Sequence, residues 1–202
     1  MAAKKILVMG TRNRKKLGEL IDLLEPQGFE LRTLADYPNS LEVEETGTTF
    51  TENAALKATQ QARAIGEWVL GEDSGLAVDF LKGAPGVYSA RFSGDGATDA
   101  SNNQLLLEKL KGVPLDKRTA HYVCHATLSD PAGNIVAEAE DYCRGRILET
   151  AAGSGGFGYD PLFEVIECHQ TFGELSPAVK SVLSHRSRAI RALVPKIIAL
   201  MK

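Results

Sequence analysis

Cysteine is scarce in this chain. Its 202 residues hold three, Cys124, Cys143 and Cys168, an odd number at wide spacing, which excludes a disulfide framework and reads as reduced thiols. A cytoplasmic location is the expectation that results. Positive charge is also in short supply: 23 Lys and Arg against 26 Asp and Glu leave a formal net charge of −3. That balance offers no general attraction to nucleic acid or to an anionic membrane, so neither partner is expected and any basic site must be local. Long apolar runs are missing as well. The chain opens with Lys4 and Lys5, and only Ile6–Met9 separate them from Gly10, which is too short for a signal peptide or a membrane span. Cys124 with His125, Cys143, and Cys168 with His169 lack the CxxC or HxxxH spacing of zinc sites and read as structural, and His121 and His125, in an alternating strand, read as sheet residues. There is no GxSxG elbow, repeat, low-complexity tract or linker.

What is present is ordinary globular material, 44% hydrophobic and 24% charged, long enough for a real core and expected to form one domain over residues 1–202. Ile6–Met9 reads as a strand that stops at Gly10. Leu17, Leu20, Ile21 and Leu24 then repeat at helical spacing up to Pro26 and Gly28. Residues 29–34 resemble a second strand. Ala54, Ala58, Ala62 and Ile65 line one face of a helix whose small residues imply close packing. Val69 and Leu70 run into Glu72 and Asp73, and Leu76 and Val78 resume beyond, so the acids are expected at a break between two strand-like pieces. Thr98 is placed to cap a helix carrying Leu106, Leu107 and Leu110. Residues 119–128 and 135–142 form a hairpin about Asp130, Pro131 and Gly133, which rules out a purely parallel sheet. A last amphipathic helix carries Ile190, Leu193, Val194, Ile197 and Met201, with a kink or a restart expected at Pro195. The expected fold class is α/β, with a mixed sheet and flanking helices.

Five segments carry chemistry. Thr11, Arg12, Asn13, Arg14, Lys15 and Lys16 lie between the first strand and the first helix. There a helix N-terminus and cationic side chains favour a phosphate, although an exposed basic turn explains them equally and the glycines of a Walker loop are missing. Glu44 with Glu45, and Glu72 with Asp73, are two carboxylate pairs of the type a hard cation such as Mg²⁺ uses; the first pair also reads as solvated loop charge. Residues 153–161 combine glycines with Phe157, Tyr159 and Asp160, where Phe157 can stack on a planar ring and Asp160 can read its edge. A plain turn with packed aromatics is the other reading. Ser176 followed by Pro177 starts a helix, with Lys180 and Ser184 on one face and His185 and Arg186 just beyond. That cluster suits an anion, or water alone.

Together TRNRKK at 11–16, EETGTTFTENAALKA at 44–58, EDSGL at 72–76, GAPGVYSARFSG at 83–94, GGFGYDP at 155–161 and SHR at 184–186 resemble the inosine triphosphate pyrophosphatase family of noncanonical purine nucleotide hydrolases, in order and over nearly the whole chain. The resemblance implies two lobes around a central cleft, a homodimer, and Mg²⁺-dependent conversion of ITP, dITP or XTP to the monophosphate and pyrophosphate, cleansing nucleotide pools. It implies that Thr11, Asn13 and Lys16 hold the triphosphate, with Lys57, Ser74 and Lys180 as further contacts. Glu44, Glu72 and Asp73 would organise metal and water, Asp73 being the base. Phe157, Gly158, Tyr159 and Asp160, with His185 and Arg186, would form the nucleobase pocket, where Arg186, a donor only, would favour a 6-oxo purine over adenine. One position departs from the pattern. Arg12 stands where the family usually has glycine, which implies strain if the loop needs a positive φ there, or an added contact to the triphosphate. The rivals are a Maf-like pyrophosphatase acting on pyrimidine or modified nucleotides and a nucleotide-binding sensor without turnover.

Overall fold

The computed structural model describes residues 6–201; Lys4 and Lys5 of the opening segment lie outside them. Its main elements are β1 (Ile6–Met9), α1 (Arg14–Leu24), β2 (Glu30–Thr33), α2 (Phe50–Ile65), β3 (Trp68–Val78), α3 (Asp99–Lys109), β4 (Thr119–Ser129), β5 (Ile135–Ile147), β6 (Phe163–Val165), β7 (Gln170–Thr171), α4 (Pro177–Leu183) and α5 (His185–Met201). The strands form one sheet in the order β2-β1-β3-β4-β5-β6-β7. β1 pairs in parallel with β2 and β3, whereas β5–β6 and β6–β7 are antiparallel, so the sheet is mixed, as expected. The chain divides into two compact units, and β3, β4 and β5 each run from one into the other.

The first unit comprises residues 6–73, 124–141 and 186–201 of the described chain. Strand side chains alternate between faces, and the alternation sorts the core. Leu7, Met9 and Leu70 pack with Leu20 and Leu24 of α1 and Ile190, Leu193 and Ile197 of α5; Val8 and Val69 pack with Ala62 of α2. The small face of α2 explains its closeness: a Cβ on Gly71 would lie 2.6 Å from the Ala54 carbonyl oxygen and 2.7 Å from the Ala58 nitrogen. α2 itself starts on a capping box, in which Thr49 accepts from the Glu52 amide and Glu52 accepts from the Thr49 amide. α5 runs through Pro195 without restarting. Pro195 and Arg191 lie on the exposed side, where water can serve the carbonyl that the missing amide leaves. No helix among the described residues is long and apolar enough to cross a membrane.

The second unit comprises residues 74–123 and 142–185. Its core joins Leu76 and Val78 of β3, Leu106 of α3 and Leu110 just past its end, and an aromatic group of Tyr122, Phe163 and Phe172 with ring centroids 4.7 to 5.9 Å apart. Thr98 caps α3 by accepting from the Ser101 amide, as its sequence suggested.

Two expectations need correction. β3 is one unbroken 11-residue strand, so Glu72 and Asp73 lie inside it and not at a break. Their carboxylates find cationic partners, Lys16 and Arg186 for Glu72 and Lys57 for Asp73, and the backbone ladder therefore continues where polarity alone suggested interruption. The helix begun at Ser176 and Pro177 ends at Leu183, and Ser184 is extended, with φ −66° and ψ 149°. Lys180 and Ser184 consequently do not share a helix face.

Candidate active site

In the first unit, Asn13 caps α1, its side-chain oxygen accepting from the amides of Lys15 and Lys16 at 3.0 and 3.2 Å. Thr11 Oγ1 accepts from the Asn13 amide at 3.2 Å. The cap uses two of the helix's spare donors, so attraction for an anion comes chiefly from the helix dipole, undiminished by any acid in the first turn, and from the side chains. Arg14 and Lys15 are exposed; Lys16 turns inward, 3.2 Å from Glu72. Arg12 has no positive φ, so its replacement of glycine brings no left-handed strain. Its guanidinium reaches the loop at 40–41, at 3.1 Å from Ser40 Oγ and 3.2 Å from the Leu41 carbonyl oxygen.

Glu72 and Asp73 are buried and, as neighbours in a strand, face opposite ways. Glu72 meets Lys16 and lies 3.5 Å from Arg186 at the start of α5; Arg186 also pairs with Glu19 of α1. Burial alone would push the Glu72 carboxyl up, but Arg186, Lys16 and Lys57 outweigh it and hold it far below the ordinary value, so Glu72 stays ionised. The Cys124 thiol, 3.5 Å from Glu72, is pushed up by burial and by that carboxylate and stays protonated. Asp73 faces α2. Lys57 donates to it at 2.9 Å and the Asn53 amide at 3.4 Å, yet burial wins over Lys57 and Lys16, and the Asp73 pKa is raised. Lys57 also reaches Glu45 at 3.2 Å.

Glu44 is exposed, and the member of its pair brought toward Asp73 is Glu45, on the same ammonium. Among the described residues no three His, Cys, Asp or Glu side chains gather into a metal cage. Mg²⁺ does not need one: it takes one or two carboxylates and completes its shell with water and substrate phosphates. Glu45 and Asp73, two oxygen donors on one cation, fit that requirement.

In the second unit the glycine-rich stretch forms a turn held at several points. Asp160 is buried; it accepts from the Phe157 amide at 2.8 Å, from Lys180 at 2.7 Å and from the Tyr122 hydroxyl at 3.3 Å. Gly156 is required there, because at φ +72° a Cβ would lie 2.0 Å from Asp160 Oδ2. The Lys180 ammonium lies 4.8 Å from the centre of the Phe157 ring. His185 stacks on Tyr122 with centroids 4.6 Å apart and planes 6° apart. The Tyr159 hydroxyl donates to the Ser89 carbonyl oxygen at 2.8 Å, and burial followed by the Asp99 charge pushes it up, so it remains a donor. Ser74 follows Asp73 on β3 and is half-buried.

Of the residues expected to converge, Lys180 and His185 share the hydrogen-bonded pair of Tyr122 and Asp160. Lys180 goes to Asp160, His185 to Tyr122, and Arg186, nearly fully buried, to Glu19 and Glu72. The Arg186 guanidinium, expected to read a base edge, is held in place by two carboxylates. Asn53 and Glu19 were missed, though each had a signal: Asn53 precedes Lys57 by four residues and Glu19 follows Lys16 by three, so each shares a helix face with a residue already singled out. The likeness of the sequence segments extends to whole known proteins. A dITP/XTP pyrophosphatase of Rhodopirellula baltica is 52% identical over 97% of this chain and 94% of its own, and one of an Exiguobacterium species is 50% identical over 97% and 98%. Among solved structures, a HAM1 protein from Coxiella burnetii superposes with a TM-score of 0.88 at 34% identity, covering 96% of this chain and 99% of that one. A nucleoside-triphosphatase or dITP/XTP pyrophosphatase from Mycobacterium abscessus gives 0.77 at 43% identity, covering 94% and 99%. The model of the Ham1 family matches residues 7–196, and the chain belongs to that family.

Proposed function

We propose that this chain is a pyrophosphatase of noncanonical purine nucleoside triphosphates, converting ITP, dITP and XTP to the monophosphate and pyrophosphate with Mg²⁺ and so clearing deaminated purines from nucleotide pools. The observation that carries the reading is Asp73, a buried carboxylate whose pKa burial raises while Lys57 and Asn53 fix its position. A stronger carboxylate base held still is what proton removal from an attacking water requires. The dITP/XTP pyrophosphatase names of the R. baltica and Exiguobacterium relatives support the substrate class.

Asp73 takes the proton of the water that attacks the α-phosphorus, and pyrophosphate leaves. Lys16 and Lys57 neutralise phosphate charge beside the start of α1, Thr11 and Asn13 order the loop before it, and Ser74 is a further contact. Glu72 stays ionised and keeps Lys16 turned inward. When bound to Glu45 and Asp73, Mg²⁺ would spread the charge of the phosphate oxygens. In the second unit, Phe157 stacks on the purine, and Lys180, a donor only, assumes the preference for a 6-oxo acceptor that Arg186 was expected to supply. A sensor without turnover would follow if Arg12 spoiled the site, and Arg12 has no positive φ and so no left-handed strain with which to do so. A homodimer, read by sedimentation velocity, and a cytoplasmic location belong to the same proposal.

The test is release of pyrophosphate and monophosphate from ITP, XTP, dITP, ATP, GTP and UTP, with Mg²⁺ and with chelator. Metal-dependent cleavage confined largely to ITP, XTP and dITP is expected. Preferential cleavage of UTP would replace the purine reading with a pyrimidine one, and binding without turnover would remove Asp73 from its role.

A further inference from the structure

We infer that Asp99 and Asn103 of α3 are positioning residues for base discrimination, acting by clamping the peptide groups of Gly158; this rests on the proposed reading of residues 157–160 as the base pocket. Residues four apart in a helix lie one above the other on the same face. From that face Asp99 Oδ2 accepts from the Gly158 amide at 3.0 Å, and Asn103 Nδ2 donates to the Gly158 carbonyl oxygen at 2.9 Å. One residue therefore has both backbone polar groups taken by side chains of a helix more than fifty positions earlier. Gly158 was expected to touch the base. With its amide and carbonyl engaged by α3, its part is instead to hold Phe157 and Asp160 on either side.

Three further features agree. Gly158 sits at φ +60° with open space where a Cβ would be, so glycine is required for the backbone conformation the clamp grips and not for room. The residues around it are fixed in the same manner, Phe157 through its amide to Asp160 and Tyr159 through its hydroxyl to Ser89. Asn103 Oδ1 is buried and has no hydrogen-bond partner among the described residues. A buried orphan acceptor is unfavourable, so an amide kept there is explained by what its nitrogen does. A rigid wall is what separates purines differing by one small substituent, because a turn free to yield would admit the extra 2-amino group of guanine.

The experiment uses the whole enzyme and measures kcat and KM for ITP and GTP in Asn103→Leu, Asp99→Ala, Asp99→Asn and Phe157→Ala. Asn103→Leu and Asp99→Ala should lower the ITP-over-GTP ratio of kcat/KM about tenfold, the worth of one lost hydrogen bond, chiefly by lowering KM for GTP. Asn103→Leu also removes the orphan oxygen, so its Tm should stay within about 5 °C of the parent. Asp99→Asn keeps an acceptor and should recover most of the ratio lost in Asp99→Ala. If both clamp variants keep the parent ratio while Phe157→Ala loses it, the clamp is overturned and the pocket stands. If Phe157→Ala also keeps the parent ratio and KM, the pocket reading has failed and the clamp with it. A ratio that falls only alongside a large loss of Tm, with no recovery in Asp99→Asn, would mean general damage and would likewise overturn the inference.

Discussion

The two units hold their polar groups in opposite ways. In the first, Glu72, Asp73, Lys16, Lys57 and Arg186 all project from a strand or from helices, and strand alternation and helix spacing decide which of them meet. Position is fixed by packing, and the charges shift one another's protonation. In the second, Phe157, Gly158 and Asp160 lie in a turn anchored in the core by Tyr159, and individual hydrogen bonds to its backbone and to Asp160 hold the rest. The comparison separates two tasks. A group that moves a proton needs a tuned pKa, which burial among charges supplies; a surface that compares two similar rings needs stiffness, which a web of hydrogen bonds to the backbone supplies.

That contrast can be broken. Asp73→Asn keeps the shape and removes the base, so turnover of ITP should fall by about 10²- to 10⁴-fold with the circular dichroism spectrum unchanged. Near-parent turnover would show that the first unit tunes nothing for catalysis. Arg186→Met leaves Glu19 and Glu72 without their buried guanidinium and should destabilise the fold by about 3 to 5 kcal/mol in urea, with the ITP-over-ATP preference of the surviving fold intact. Normal stability with lost preference would return Arg186 to base reading. Gly71→Ala sets a methyl against the backbone of α2 and should cost about 1 to 3 kcal/mol, against no measurable change if α2 can retreat.

The smallest effect sharpens the comparison through pH. Thr48 and Thr49 hydrogen bonds, the Thr48 amide first, hold the Glu52 carboxyl below the ordinary glutamate value of 4.5. A depressed pKa contributes stability that is present above the unfolded value and is lost as pH falls through the folded one. Glu52→Gln should therefore lower the neutral Tm slightly, leave Tm well below about pH 4.5 close to the parent, and so flatten the decline between the two; an unchanged acid slope would remove Glu52 from that role.

The same contrast explains what could be read in advance. Leu17 to Leu24, Ala54 to Ala62 and the 119–142 hairpin announced themselves because their periods of 3.6 and 2 are written in neighbouring residues. Asp73 was legible as an acid at the site, and Asn53 and Glu19 stood one helical turn from residues already chosen. That Glu45, of the pair Glu44 and Glu45, would meet Lys57 was not legible, because adjacent loop residues have no fixed alternation. The break expected at Glu72 failed because local polarity cannot reveal that Lys16 and Arg186, distant in the chain, would neutralise it. Asp99 and Asn103 gave no signal, since nothing near them in sequence shows that residue 158 would come to their face.

Gly71 carries one more consequence, which concerns errors in folding. A strand has a period of two, so a slip of β3 by one residue would exchange the faces of Glu72 and Asp73, giving Lys57 the wrong acid and Arg186 the other. Such a slip would also carry a side chain into the space where Ala54 and Ala58 of α2 leave no room for a single Cβ. The close approach of helix to strand therefore acts as a register check: a molecule that seats α2 on β3 has its base on the correct face before any ligand arrives.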